Sequence, residues 1–144
     1  GRLSTAEALA LSLVLIGRWD QARIIMRPFR FADSFFNQGE QFRERLKSRL
    51  DRLDLPIHLT GMGSMMALHF SSTAPTSPYS LTPTQHKIYE LIHLEMMQLG
   101  QFYARRGMIN LSLPVTAKMC EVFCTALINT LDRFGSEISD ALAP

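Results

Sequence analysis

The sequence holds two cysteines, four histidines and three lysines on which chemistry could be built. Cys120 and Cys124 stand at i, i+4, a spacing that puts both on one face of a helix. Such a pair can share a metal. However, no histidine or further cysteine completes a four-ligand zinc pattern, so small buried apolar side chains are the simpler reading. Their parallel Cβ directions on one helix also disfavour a disulfide between them. His86 and His93 are seven residues apart on another helical stretch, and His58 and His69 fall on extended stretches. No pair has the H-E-x-x-H spacing of a metalloprotease helix. Lys47, Lys87 and Lys118 all fall at exposed helical positions. A catalytic amine needs desolvation or a cationic neighbour to lower its pKa, and the sequence offers neither. No nucleophile–base pair stands out, so the segment reads as non-catalytic on its own residues.

Two other strings could bind a ligand rather than transform one. Gly61-Met62-Gly63-Ser64 is a glycine-rich turn or bulge between two extended runs. It does not open a helix, so it is not a dinucleotide-binding loop. In a functional role it would aim backbone amides at a ligand held by a neighbouring domain. Arg105 and Arg106 precede Gly107. They suit the negative end of a helix, and they could equally hold a carboxylate or an ion pair across a domain interface. Gly61, Met62, Gly63, Ser64, Arg105 and Arg106 are the candidate substrate-side or interface residues. No catalytic, cofactor-binding or metal residue is assigned. Arg43, Arg45, Lys47, Arg49 and Arg52 form a basic stripe, but Glu40, Glu44, Asp51 and Asp54 interleave with it. That mixture fits a solvated helix face laced with i, i+3 pairs better than a nucleic-acid footprint.

The elements that position these residues follow from periodicity and punctuation. Ser4-Thr5-Ala6-Glu7 matches a capping box ahead of a short apolar helix, Ala8 to Ile16, stopped by Gly17. Trp19 to Pro28 is less regular, and Pro28 argues against a helix through that point. A second helix is expected from about Phe31–Asp33 to Leu53, with Phe35, Phe42, Leu46, Leu50 and Leu53 on one face. Gly39 weakens its middle by about 1 kcal/mol relative to alanine. Strands follow at Ile57–Thr60 and Ser64–Phe70. Met66, Leu68 and Phe70 share one face of the second strand, and Met65, Ala67 and His69 share the other. Ser71 to Ser80 is rich in serine, threonine and proline and reads as a loop, mobile over 71–81. Thr82-Pro83-Thr84-Gln85 restarts a helix with a capping box and proline at its first position. Its apolar face runs Ile88, Leu91, Ile92, Met96, Leu99, Phe102, Tyr103, with a stop at Gly107. A third strand is expected over Met108–Leu113. Thr116 caps a last helix whose stripe is Met119, Phe123, Leu127, Leu131 and Phe134, with Gly135 at its end. The order is α-α-β-β-α-β-α: an α+β domain with a small three-stranded sheet covered by helices.

The 144 residues are enough for a single domain with its own core. Apolar residues make up 47% and charged residues 19%, which excludes intrinsic disorder and a disulfide scaffold. The formal charge of +2 points to no polyanion partner. No apolar run reaches the ~18 residues of a membrane span. Two cysteines suit a reducing compartment, and the cytoplasm is the expected location. Residue 1 is Gly, and the chain reads as a C-terminal piece of something longer.

Several strings resemble the C-terminal small domain of class III (fold type I) pyridoxal-phosphate aminotransferases, nearest to the glutamate-1-semialdehyde 2,1-aminomutase-like branch. Leu59-Thr60-Gly61-Met62-Gly63-Ser64-Met65, with the strand to Phe70, is similar to that family's T-G-x-G-S-M-x-x-x-x-F segment. Phe102 to Leu113 (FYARRGMINLSL) is similar to its later helix, R-G, strand, L-S-L segment. Gln41–Leu53 stands where the family has an E-R-L-x-x-x-L helix. The resemblance covers roughly residues 35–135. It implies a homodimer and a three-stranded sheet packed on a large cofactor domain. Pyridoxal 5'-phosphate would be bound by that large domain, and none is expected on this segment. The segment would shape and close the substrate site without catalysing anything alone. The A-P-S-x-F-E stretch of semialdehyde aminomutases is replaced by Gly107-Met108-Ile109-Asn110, which points to a transaminase of other specificity. The alternative is a free-standing interaction domain that uses an apolar sheet face with Met62, Met65, His69 and Met108. Nucleic acid and membrane are not expected partners.

Overall fold

The computed structural model describes Leu9, Leu13 and residues 18–77 and 79–143 of the chain. The helix expected over Ala8–Ile16 falls outside the described residues except for Leu9 and Leu13. Contacts separate the chain into two compact units, residues 1–37 and 38–144. Within the first, the Arg18 N–H donates to the Leu13 carbonyl at 2.8 Å. Apart from the bounds of the first described helix, the rest of the description concerns the second.

Helix α1 spans Trp19–Leu50, strand β1 Ile57–Met62 and strand β2 Met65–Phe70. Helix α2 follows at Pro83–Gln98, strand β3 at Met108–Asn110, helix α3 at Ala117–Arg133 and helix α4 at Gly135–Leu142. The order among the described residues is α-β-β-α-β-α-α, and the α+β class expected from the sequence stands. No helix among the described residues is long and apolar enough to cross a membrane.

Four expectations about boundaries need correction. First, α1 begins at Trp19 and passes through Pro28. A proline removes one N–H and crowds the carbonyl four residues back, a cost of about 3 kcal/mol, but its fixed φ is itself helical. Second, α1 stops at Leu50, not Leu53. Arg52 and Leu53 close tighter i→i−3 turns onto Arg49 and Leu50, and Asp54 takes a left-handed φ of 51°. Third, α2 ends at Gln98, well before Gly107. Gly100, at φ 70°, donates to the Met97 carbonyl, and Gln101 donates to that of Met96. Those two bonds make a Schellman cap. Leu99 and Phe102 therefore leave the apolar face, and Phe102 is 79% exposed. Fourth, Gly135 does not end the last helix. Phe134 does, and Gly135 opens α4, which buries Ile138.

The start signals perform as the sequence implies. The Thr82 hydroxyl accepts from the Gln85 N–H at 3.2 Å, and the Gln85 side chain accepts from the Thr82 N–H at 2.8 Å. The Thr116 hydroxyl accepts from the Met119 N–H at 3.2 Å.

The sheet is antiparallel, in the order β1-β2-β3. Ile57 pairs with Phe70, Leu59 with Leu68 and Gly61 with Met66, and Met66 pairs with Ile109. These positions face the helices. Met66, Leu68, Phe70 and Ile109 are buried among Phe42, Leu46, Ile88, Ile92, Met96, Leu127 and Leu131. The Phe70 and Tyr89 rings meet edge to face, 4.9 Å between centroids. The other sheet face carries His58 opposite His69, Thr60 opposite Ala67, and Met62 opposite Met65. Met108, opposite Ala67, completes it. β3 is shorter than expected, and Leu113 lies 63% exposed rather than in line with Ile109.

Candidate functional site

The candidate residues fall in two places. Gly61, Met62, Gly63 and Ser64 form the tip of the β1–β2 hairpin. The turn is narrower than the sequence implies: Gly61 and Met62 belong to β1, and only Gly63-Ser64 forms the loop between Met62 and Met65. Gly63 has φ 57°, and glycine in the first loop position is the type II′ hairpin pattern. Gly61, at φ 142°, lies so close to β2 that a Cβ would sit 2.3 Å from the Met65 carbonyl oxygen.

Helix α1 fixes this tip. The Gly63 N–H donates to Glu40 Oε1. Arg43 donates to the other oxygen of that carboxylate. The Arg43 guanidinium, and next the Gly63 N–H, hold the Glu40 carboxyl below its ordinary pKa. Gly39 is the point of closest approach: a Cβ there would lie 2.3 Å from the Gly63 carbonyl. Read locally, Gly39 only weakens a helix. In the fold, it is the residue that lets the turn rest on the helix backbone. From the third strand's side, the Leu111 N–H donates to the Ser64 carbonyl at 2.9 Å. The tip is therefore tied to α1 and to Leu111, and the Gly63 amide already has its acceptor. The one large side chain it offers to solvent is Met62, 68% exposed.

Arg105 and Arg106 lie elsewhere, on the segment between the α2 cap and β3. Because α2 ends early, they are not at a helix C-terminus. Arg105 donates to Glu90 on α2. Arg106 lines a separate hollow beside Thr60 and His69. Gly107 turns the chain into β3 at φ 81°, with Tyr89 and the Leu68 carbonyl packed against its Cα.

A larger cleft, about 620 Å³, opens between the Gly100–Ser112 segment and the first turns of α3. Phe102, Met108, Leu111, Val115 and Met119 make its wall mostly apolar, and Lys118 stands at it. Tyr103 also lines it, is 1% exposed, and has an OH without a hydrogen-bond partner in the structure. Burial pushes that phenol far above its ordinary pKa.

Several of the other chemistry-bearing residues have structural explanations. Cys120 and Cys124 are free, buried thiols, and burial raises both pKa values. Among the described residues, no cluster of three or more His, Cys, Asp or Glu could hold a metal. A His93 ring nitrogen meets the Tyr103 carbonyl at 2.5 Å. Arg43, Lys47 and Arg49 of the basic stripe are tied to Glu40, Asp51 and Glu121. Nor do the described residues fit pyridoxal phosphate. Lys47 is paired with Asp51 at 2.7 Å, and Lys87 and Lys118 are exposed on helices. None is the desolvated amine that a carbonyl-binding lysine requires.

No protein-family profile matches the chain. Over 86 residues it is 31% identical to an uncharacterized aminotransferase of Schizosaccharomyces pombe, covering 59% of this chain and 19% of that protein. Among solved structures, it resembles a β-phenylalanine aminotransferase from Variovorax paradoxus, with a TM-score of 0.66 and 23% identity. That match covers 72% of this chain and 24% of the other. An omega-transaminase from Sphaerobacter thermophilus gives 0.62 at 22% identity, covering 79% and 26%. A transaminase solved with pyridoxal phosphate bound gives 0.59 at 15% identity, covering 81% and 27%. The chain thus spans less than a fifth of the curated relative it matches, and its fold is that of about a quarter of a transaminase.

Proposed function

We propose that this chain is the small-domain portion of a pyridoxal-phosphate-dependent class III aminotransferase of the semialdehyde-aminomutase-like branch. The observation that carries this reading is the 31% identity to an aminotransferase over 86 residues. The structural likeness to a β-phenylalanine aminotransferase and an omega-transaminase favours an amino donor whose amine is remote from the α position. The cofactor supplies the electron sink for moving the amino group. The residues that would bind it belong to the large domain. What this chain brings is a wall. Its helices bury one sheet face, and the other presents Met62 and Met65, 68% and 61% exposed, and Met108, 44% exposed. The large domain would pack there, beside the fixed hairpin tip, and help to close the substrate site. A cytoplasmic homodimer completes the proposal.

The test uses the full-length protein containing this chain. Purified, it should carry one pyridoxal phosphate per subunit and transfer the amino group of a β- or ω-amino acid to a keto acid. Absence of cofactor binding would overturn the reading. So would stoichiometric covalent capture of the cofactor by these 144 residues alone.

The exposed methionines also favour a second reading, a stand-alone interaction domain using the same face. Sedimentation and dye binding test this second reading. An interaction domain of this kind self-associates or exposes dye-binding apolar surface, whereas a compact monomer without dye binding excludes it.

A further inference from the structure

We propose that the free edge of β3 and the cleft beside it form a docking site for an extended peptide segment of a partner protein, apolar at alternate positions and bearing a carboxylate. The proposal rests on the sheet edge and this cleft and not on the aminotransferase reading.

β3 ends the sheet on one side, and among the described residues no strand pairs with its outer edge. The register decides which groups that edge offers. The Leu68 N–H donates to the Gly107 carbonyl and the Leu111 N–H to the Ser64 carbonyl, both at 2.9 Å. Those bonds bracket Met66 and Ile109, which stand opposite each other. In an antiparallel ladder, residues that turn their main-chain groups toward the neighbouring strand alternate with residues that turn them away. Gly107, Ile109 and Leu111 turn theirs to β2, so Met108 and Asn110 turn theirs outward. Neither has a backbone partner there among the described residues. A charge or a proline commonly guards such an edge. Met108-Ile109-Asn110 holds neither.

The cleft of about 620 Å³ lies along this edge, with Met108, Ile109 and Asn110 on one side and the first turns of α3 on the other. Phe102, Met119 and Val122 line it and are exposed. Large apolar side chains grouped at the surface mark a place where a partner packs. A strand laid antiparallel along β3 bonds to the outward groups of Met108 and Asn110. Its residue opposite Ile109 points to the same side as Ile109, where the helices lie, as do the residues two positions away. Main-chain bonds along an edge, with room for alternate side chains, are a recurring mode of peptide capture. Charge narrows the occupant. Among the described residues that line the cleft, Lys118 is the only charged one. It has no ion-pair partner among the described residues. A second copy joined symmetrically edge to edge sets one cationic cleft against another and brings no carboxylate from its own lining. A different segment, with an aspartate or glutamate two residues from an apolar position, supplies the missing charge on the helix side.

The probe is a capped peptide, acetyl-Thr-Val-Thr-Val-Thr-Glu-Thr-amide, titrated into the 144-residue chain and followed by amide hydrogen exchange. The Met108 and Asn110 amides should gain protection saturably. Ile109, already bonded to Met66, and Leu59, on the far strand of the sheet, should change little. Methylating the amides of the two threonines that flank the central valine should weaken binding at least about tenfold, because those amides face β3; methylating the valine amides should leave it within about twofold. Asn110→Pro removes an outward N–H and spares the β2 ladder, and it should weaken binding by a similar factor. Lys118→Gln should cost about threefold, the scale of one exposed ion pair, and a peptide with lysine in place of glutamate should bind no better to the parent chain than the glutamate peptide binds to Lys118→Gln. Thermal unfolding confirms that each variant is folded. Equal effects of the two methylation patterns, equal protection at Leu59, unchanged affinity in Asn110→Pro, or a titration that never saturates would overturn the site. Two results without peptide would also overturn it. Protection of Met108 and Asn110 that grows with protein concentration identifies a second copy as the occupant, and protection already complete in the full-length protein identifies its own polypeptide.

Discussion

The two faces of the sheet both carry methionines and have opposite fates. Met66, Leu68 and Ile109 on one face are at most 6% exposed, while Met62, Met65 and Met108 on the other are all at least 44% exposed. Methionine occurs on both sides, so residue type does not decide which is dry. Coverage does: Phe42 and Leu46 of α1, Ile88, Ile92 and Met96 of α2, and Leu127 and Leu131 of α3 pack in one cluster with the first face. The lesson concerns strand periodicity. Alternation sorts residues into two sets, but when neither set is strongly polar it does not say which one the helices will cover.

The sharpest test of this contrast is Leu68→Ala. It removes a fully buried side chain from the covered face and should cost about 2–5 kcal/mol in a urea titration. If the loss is below 1 kcal/mol, the covered face is not the core. Gly39→Ala is the next largest. Helix propensity favours alanine by about 1 kcal/mol, but the new Cβ collides with the Gly63 backbone. The expected net result is a loss of about 1–3 kcal/mol from overpacking; a gain in melting temperature would refute the close approach. Tyr103→Phe deletes a buried hydroxyl that has no partner. It should be neutral or stabilising by up to about 1 kcal/mol, since no hydrogen bond is lost. On the open face, Met65→Ala should stay within about 0.5 kcal/mol of the parent. A larger loss there would show that this face is packed after all.

A pH measurement addresses the hairpin tip. The Glu40 carboxyl titrates below its ordinary value in the folded chain. A depressed folded pKa gives stability that is present above the unfolded value and lost as pH falls through the folded one. Glu40→Gln should therefore flatten the stability profile on the acid side and leave it unchanged near neutrality in shape. A variant profile that still parallels the parent below the glutamate range would remove Glu40 from the tip.

Much of the fold is legible in the sequence where the signal is local. Thr82, Pro83 and Gln85 state a helix start within four residues, and Thr116 does the same for α3. Met66, Leu68 and Phe70 state the covered face of β2. Failures arise where local signals conflict or the cause is distant. Pro28 reads as a break because propensity takes no account of the helix on either side of it. Gly107 and Gly100 are both suitable stops, and the earlier one takes the Schellman cap. Gly39 reads as a defect because its justification, the Gly63 turn, lies in another element. The candidate site divides along the same line. Gly61 to Ser64 are neighbours in sequence and in space. Arg105 and Arg106 are neighbours in sequence only, since one binds Glu90 and the other faces a hollow made by β1, β2, α2 and a loop. No spacing rule within a single segment could have assembled that hollow.

The sheet register also has a consequence in time. β1 and β2 meet through a two-residue turn, so their pairing closes a minimal loop and can form in microseconds. β3 must reach Ala67 from Met108, across the loop and all of α2. That closure carries far more chain entropy, and it secures only three strand residues. The hairpin should therefore be the early unit of assembly, with β3 joining once α2 has docked through Tyr89, whose OH donates to the Leu68 carbonyl at 2.8 Å. On unfolding, the order reverses, and the short edge strand is the first part of the sheet to exchange its amides with solvent.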